Sequence, residues 1–124
     1  LNSFTLLPVT MPGVAEATTR HELHEATADV GAQFDWHFAM LNDEPRNKAF
    51  RTAICAAVDP GPCRALDIGA GSGFLALLAA REGCTVTAYE TDERLAEVAK
   101  ANVVCNGAEG KVKVICQHST EAAS

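Results

Sequence analysis

Between Arg64 and Arg81 a short apolar run ends in an acid, turns through three glycines, and passes at once into an alanine- and leucine-rich stretch. The turn is Leu66-Asp67-Ile68-Gly69-Ala70-Gly71-Ser72-Gly73-Phe74, and the stretch is Leu75 to Arg81. This order predicts strand, tight turn and helix, with the helix N-terminus aimed at a bound ligand. The next β-like run, Thr85 to Tyr89, is closed by Glu90. An acid there can accept hydrogen bonds from the two hydroxyls of a ribose. Loop and acid together predict a site for a nucleoside cofactor.

The glycine spacing narrows the choice. A dinucleotide fingerprint has glycines at its first, third and sixth positions. Here Gly69, Gly71 and Gly73 take the first, third and fifth, and Phe74 takes the sixth. A triphosphate loop ends in Gly-Lys-Ser/Thr, and no lysine occurs in Leu66–Arg81. The loop therefore suits a ligand that needs a close backbone approach rather than a phosphate cradle, an approach glycine permits because it has no Cβ. The plainer alternative is a glycine turn in some other α/β protein. Asp67 before the loop and Glu90 after it weigh for the cofactor.

The alternation continues downstream. Arg64–Gly69 reads as a strand, Gly73–Glu82 as a helix and Cys84–Glu90 as a strand. Asp92–Asn106 reads as a helix opened by Thr91 or Asp92 and closed by Asn106-Gly107. Lys111–Cys116 is a third strand, with Val112, Val114 and Cys116 on one face. Strand–helix–strand–helix–strand implies an α/β fold with a parallel sheet. Upstream, Asp43 can cap a helix with Pro45 in its first turn, and Arg46, Phe50, Ile54 and Val58 fall at helical spacing. Asp59-Pro60-Gly61-Pro62 ends that helix as a linker. Three blocks result: an N-terminal extension at 1–32, partly loose; helices at 33–62; and the strand–helix alternation of a sheet domain at 63–124.

The bulk properties set outer bounds. The formal net charge of −6 argues against a nucleic-acid binder that relies on a basic surface. No apolar run approaches the ~20 residues of a membrane span, and Leu1–Val14 has no charged region of the kind that opens a signal peptide. The first residue is Leu, so the chain reads as a processed or cut piece, with Met11 as a natural start. Five cysteines, Cys55, Cys63, Cys84, Cys105 and Cys116, include no Cys-x-x-Cys pair, which disfavours a zinc ribbon. They read as buried free thiols in a reducing compartment, the cytoplasm or also the nucleus.

Asp-x-Gly-x-Gly-x-Gly, followed by an acid at the end of the second strand, resembles motif I of class I S-adenosylmethionine (SAM) methyltransferases. Met40-Leu41-Asn42-Asp43-Glu44-Pro45-Arg46-Asn47 resembles the Met-Leu-x-Asp-x-x-Arg helix of protein arginine methyltransferases. Arg46-Asn47, and the block Lys111 to Glu121, are similar to the type III branch of that family. The resemblance covers about 34–121 and identifies the chain as an N-terminal part of such an enzyme. It implies a partial Rossmann-like sheet, SAM as cofactor, and methyl transfer to guanidinium nitrogens of arginine-containing protein substrates. A SAM methyltransferase for a small molecule or RNA, or a non-catalytic nucleotide-binding module, stays open beside it.

The resemblance also implies roles. Arg46 would hold the SAM carboxylate through a two-pronged charged bond; its alternative is a surface helix ion pair. Met40 would pack over the thioether or the target arginine, or simply fill core. Asp67 would orient the loop or the methionine amine, with Gly69, Ala70, Gly71 and Gly73 as the backbone approach. Glu90 would hold the ribose beside Thr91, and Ser119 and Thr120 would stand near the adenine. His118 reads as a loop residue rather than a general base. The tyrosine-rich first helix of the family has no counterpart, since Tyr89 is the only tyrosine. The family's double-glutamate loop follows a fourth strand that these residues do not include. The chain by itself is therefore expected to be inactive, with Ala65–Ile68 an unpaired apolar edge.

Overall fold

The computed structural model describes residues 36–37, 39–58 and 62–123. The extension at 1–32, Phe34, Phe38 and the linker residues Asp59, Pro60 and Gly61 lie outside the described residues. The elements run α1 (Glu44–Ala57), β1 (Cys63–Ile68), α2 (Phe74–Arg81), β2 (Cys84–Glu90), α3 (Glu93–Cys105), β3 (Val112–Cys116) and a closing 3₁₀ turn, Ser119–Ala123. The chain divides into two compact units between Asn47 and Lys48, inside α1.

In the first unit, residues 36–37 and 39–41 have helical backbone. Trp36 packs edge-on against the His37 ring at 5.2 Å and 86°. The expected cap of α1 is present: Asp43 Oδ1 accepts from the Arg46 backbone N–H at 3.0 Å. That satisfies one of the amides a helix start leaves without an internal partner. Asn47 Nδ2 donates back to the Leu41 carbonyl at 2.7 Å, tying the first turn of α1 to the segment before it.

The second unit is a parallel three-stranded sheet of order β1-β2-β3. Parallel neighbours need a crossover, and α2 and α3 supply the two. The register sets Ile68 beside Tyr89, Tyr89 beside Ile115, and Glu90 beside Cys116, so the carboxyl ends of all three strands meet along one margin. One face of the sheet is covered. Cys84, Val86 and Ala88 of β2 and Val112 of β3 bury against Ala76, Leu77, Ala79 and Ala80 of α2 and Val103 of α3. The small residues of β2 and α2 let helix and sheet approach closely. Leu66 and Ile68, on the other face of β1, are 61% and 63% exposed. Among the described residues β1 pairs only with β2.

Helix α3 is closed at both ends by local chemistry. Asp92 Oδ1 accepts from the backbone N–H groups of Arg94 and Leu95 at 2.9 and 3.2 Å, a cap of about 1 kcal/mol. Partial burial works against the ionised Asp92, yet the Leu95 and Arg94 donors win and hold its carboxyl below the ordinary value. Gly107 turns the chain out at φ 62°.

Two expectations need correction. Phe50 does not join the apolar face of α1: it stays exposed, and only Ile54 and Val58 reach the core cluster. Nor are the cysteines generally buried. Cys84 is, but Cys55, Cys105 and Cys116 are exposed, since apolar neighbours in sequence do not say which face a residue takes. All five are free thiols. Burial and the Cys63 thiol beside it push Cys84 up to about 11.

Candidate functional site

The site forms where β1 runs out. Gly69 N–H and Ala70 N–H both donate to the Tyr89 carbonyl, at 2.9 and 3.0 Å, so the first turn of the loop is fastened to the end of β2. Gly73 N–H then returns to the Ala70 carbonyl at 2.9 Å, and the Gly73 carbonyl receives Leu77 N–H at 2.9 Å as the first bond of α2. Gly69, Gly71 and Gly73 lie at φ 73°, 56° and 82°, a left-handed region that side chains resist. The alternating glycines of the sequence thus match three alternating left-handed residues.

Glu90 is the hub of this loop. Its side chain is buried, with the residue 8% exposed. Oε2 accepts from Gly71 N–H at 2.7 Å, and Oε1 accepts from Asp92 N–H at 2.9 Å. Thr91 Oγ1 lies 3.5 Å from Oε1, at the outer limit of a bond. One carboxylate therefore joins the glycine loop to the start of α3. An ionised carboxylate has about four lone-pair positions, so even with the long Thr91 contact counted it keeps acceptor capacity for a ligand. The turn after β3 is drawn to the same place by Gln117 N–H, which donates to the Glu90 carbonyl at 3.0 Å. Ser119 is half-buried there and Thr120 exposed. His118 Nδ1 lies 2.7 Å from Thr120 Oγ1 and also accepts from Thr120 N–H at 3.4 Å, which engages that ring nitrogen within its own turn.

Asp67, the last residue but one of β1, lies on its covered face. Its Oδ2 and the Ser72 hydroxyl are buried with no hydrogen-bond partner among the described residues. Buried polar atoms are normally paired, so both suit a ligand that brings donors of its own. Burial raises the Asp67 carboxyl above its ordinary value of 3.8, the Ala76 backbone amide opposes this, and the nearby Glu90 charge adds to it. The folded state therefore binds the proton more tightly than the unfolded one. Asp67 favours folding at low pH, and that contribution is lost as pH rises through its raised value. Asp67→Asn is expected to remove this loss, giving stability at pH 7 at or above the parent while weakening any amine-bearing ligand at least tenfold. Urea titrations from pH 4 to 7, with ligand titration of each variant, check both signs.

Of the remaining candidates, Met40 and Arg46 are half-buried in the first unit, and Arg46 Nη1 donates to Asn47 Oδ1 at 3.2 Å. The loop, Asp67, Glu90, Thr91, Ser119 and Thr120 belong to the second. The sequence reading missed Asn102, whose Nδ2 donates to the Ser72 carbonyl at 3.0 Å. The available signal was an asparagine at helical spacing from Ala96 and Ala99, on the buried face of α3.

A family model described as ribosomal protein L11 methyltransferase (PrmA) matches residues 52–124. An arginine N(omega)-methyltransferase of Streptomyces achromogenes subsp. streptozoticus is 44% identical over 86 residues, covering 68% of this chain and 24% of that protein. Protein arginine N-methyltransferase 7 of Oryza sativa subsp. indica is 41% identical over 91 residues, covering 66% of this chain and 13% of that protein. Among solved structures, one described as PRMT6-SAH superposes with a TM-score of 0.67 at 26% identity, over 73% of this chain and 26% of that one. The chain thus spans about a quarter or less of the length of the relatives it matches. The chain belongs to the PrmA methyltransferase family, and over part of their length it is similar to arginine N-methyltransferases.

Proposed function

We propose that this member of the PrmA methyltransferase family forms the SAM-binding part of an arginine N-methyltransferase that acts on arginine-containing proteins. The observation that carries the reading is the Gly71–Glu90 bond at 2.7 Å, which fixes a glycine loop and a buried acid to each other at the carboxyl margin of a parallel sheet. Ligands of open α/β sheets bind at that margin.

SAM, when bound, supplies a methyl group made electrophilic by a sulfonium. The residues of this chain bind and orient it. Glu90 has acceptor capacity left for ribose hydroxyls, and Asp67 Oδ2, buried and without a partner among the described residues, suits the amino group. Gly69, Ala70, Gly71 and Gly73 give the close backbone approach. Ser119 and Thr120 stand on the turn tied to Glu90 and are assigned to the adenine side. Arg46 is proposed for the carboxylate and Met40 for the thioether on the sequence resemblance alone. Asp67 and Glu90 place negative charge where a cationic cofactor would lie, which favours SAM over a pyrophosphate-bearing nucleotide. No residue of this chain is assigned to the guanidinium. The methyl transfer needs little covalent chemistry from the protein, so positioning dominates. Five free thiols suit a reducing compartment, and the cytoplasm or nucleus is proposed on that ground.

A second substrate reading has one specific support: the Streptomyces relative is named for arginine, without the word protein. The test has two stages. Calorimetric titration of the chain with SAM, NAD and ATP is expected to show binding of SAM alone; binding of NAD or ATP in its place would overturn the cofactor. Methyl transfer by the protein containing this chain is then compared on an arginine-rich peptide and on free arginine. The peptide is expected to be the substrate, and turnover of free arginine alone would replace protein by small molecule.

A further inference from the structure

We propose that Asn102 is a positioning residue for the cofactor loop, its buried amide setting the plane of the Ser72–Gly73 peptide. This rests on the SAM reading of the loop above.

Asn102 is 1% exposed on α3, thirty positions from the residue it holds. Its Nδ2 donates to the Ser72 carbonyl at 3.0 Å. The N–H at the other end of that same peptide, from Gly73, donates to the Ala70 carbonyl at 2.9 Å. A peptide unit is planar, so bonds at its opposite edges fix its rotation. Gly73 itself sits against α3: a Cβ built there would come within 3.3 Å of Ala99 Cβ. Ala99 and Asn102 are three residues apart and share a helix face. One face of α3 thus gives the loop a contact surface and, one turn later, a directional bond.

The other attachment of the loop leads to the same helix. Glu90 takes Gly71 N–H on one oxygen and Asp92 N–H, at the N-cap of α3, on the other. Gly71, Ser72 and Gly73 are therefore each referred to α3, the first through Glu90, the second through Asn102 and the third through Ala99. An apolar side chain at Asn102 would satisfy packing alone. A buried amide must be hydrogen-bonded to be tolerated, and here its bond is spent on the backbone that must approach the ligand. The consequence is a cradle shaped before the cofactor arrives, with less ordering left to be done on binding.

The test compares three variants of the chain. Asn102→Ala removes the donor. Asn102→Leu removes it while keeping volume in the core, so that folding is retained. Val86→Ala, at a core position away from the loop, lowers stability without touching the device. Hydrogen exchange of the Gly73 amide is followed without ligand, and SAM affinity by calorimetry. Both Asn102 variants are expected to weaken SAM at least tenfold and to speed Gly73 exchange at least tenfold beyond the change in global stability. Val86→Ala should bind within twofold of the parent. If the Asn102 variants bind as Val86→Ala does and Gly73 exchange follows global stability, Asn102 is core filling and the proposal falls. If the parent takes up no SAM while both Asn102 variants still release the Gly73 amide, the positioning role stands and the cofactor reading fails.

Discussion

Glu90→Ala is expected to lower the stability of the ligand-free chain by about 3 kcal/mol, before any cofactor enters the argument. Two backbone donors, the buried Gly71 N–H and the partly buried Asp92 N–H, end on this carboxylate at 2.7 and 2.9 Å. Hydrogen bonds to charged groups contribute about 1.5–3 kcal/mol each, and rehydration of the freed amides recovers part of the loss. The same substitution removes the proposed ribose acceptor, so SAM affinity of the folded fraction should fall at least tenfold. Glu90→Gln separates the two roles only partly. Its single acceptor oxygen can serve one amide, while its NH₂ meets the other donor head-on. It should therefore rescue no more than half of the stability. Urea unfolding of the three proteins, followed by SAM titration, measures both quantities. Full stability in Glu90→Ala would mean the loop is held by Tyr89, Asn102 and Ala99 alone.

For Glu90 nothing in the residue order says that Gly71 N–H donates to its carboxylate, but its place is legible. An acid closing a β-like run reads as a strand end, and parallel strands in register bring that end beside the loop. The strand and helix limits were legible for a similar reason. Cys84–Glu90 stands as expected, and Asp92 and Gly107 bracket α3 through local bonds that depend on residue type alone. Asn102 was not legible in that way. Its partner is a carbonyl, which every residue has, and the pairing spans thirty positions set by the packing of α3 on the loop. Phe50 failed for the opposite reason. Helical spacing says which residues share a face, and it does not say how far along the helix that face stays covered. Apolar neighbours in sequence predict burial for the cysteines, but they do not say which face a residue takes, and Cys55, Cys105 and Cys116 are exposed.

Gly73→Val tests the contact on which the loop's position depends, and it should lower stability by about 3 kcal/mol. Gly73 lies at φ 82°, where an L side chain costs roughly 1–2 kcal/mol. A Cβ there also comes within 3.3 Å of Ala99 Cβ, 3.5 Å of Ala99 Cα and 3.7 Å of the Ala99 carbonyl oxygen. Those atoms belong to the body of α3 and cannot swing aside like the end of a long side chain, so overpacking adds about 1–3 kcal/mol. Gly107 offers the control: it is left-handed at φ 62°, and a Cβ there meets nothing within 4 Å. Gly107→Val should show the backbone cost alone. The difference between the two losses in urea unfolding isolates the fit of Gly73 against Ala99. Moving Gly73 away from α3 would also pull the Ser72 carbonyl from Asn102, so Gly73→Val should lose SAM affinity while Gly107→Val keeps it within a few-fold. Equal stability losses, with equal SAM binding, would show that α3 yields to the loop and does not set its place.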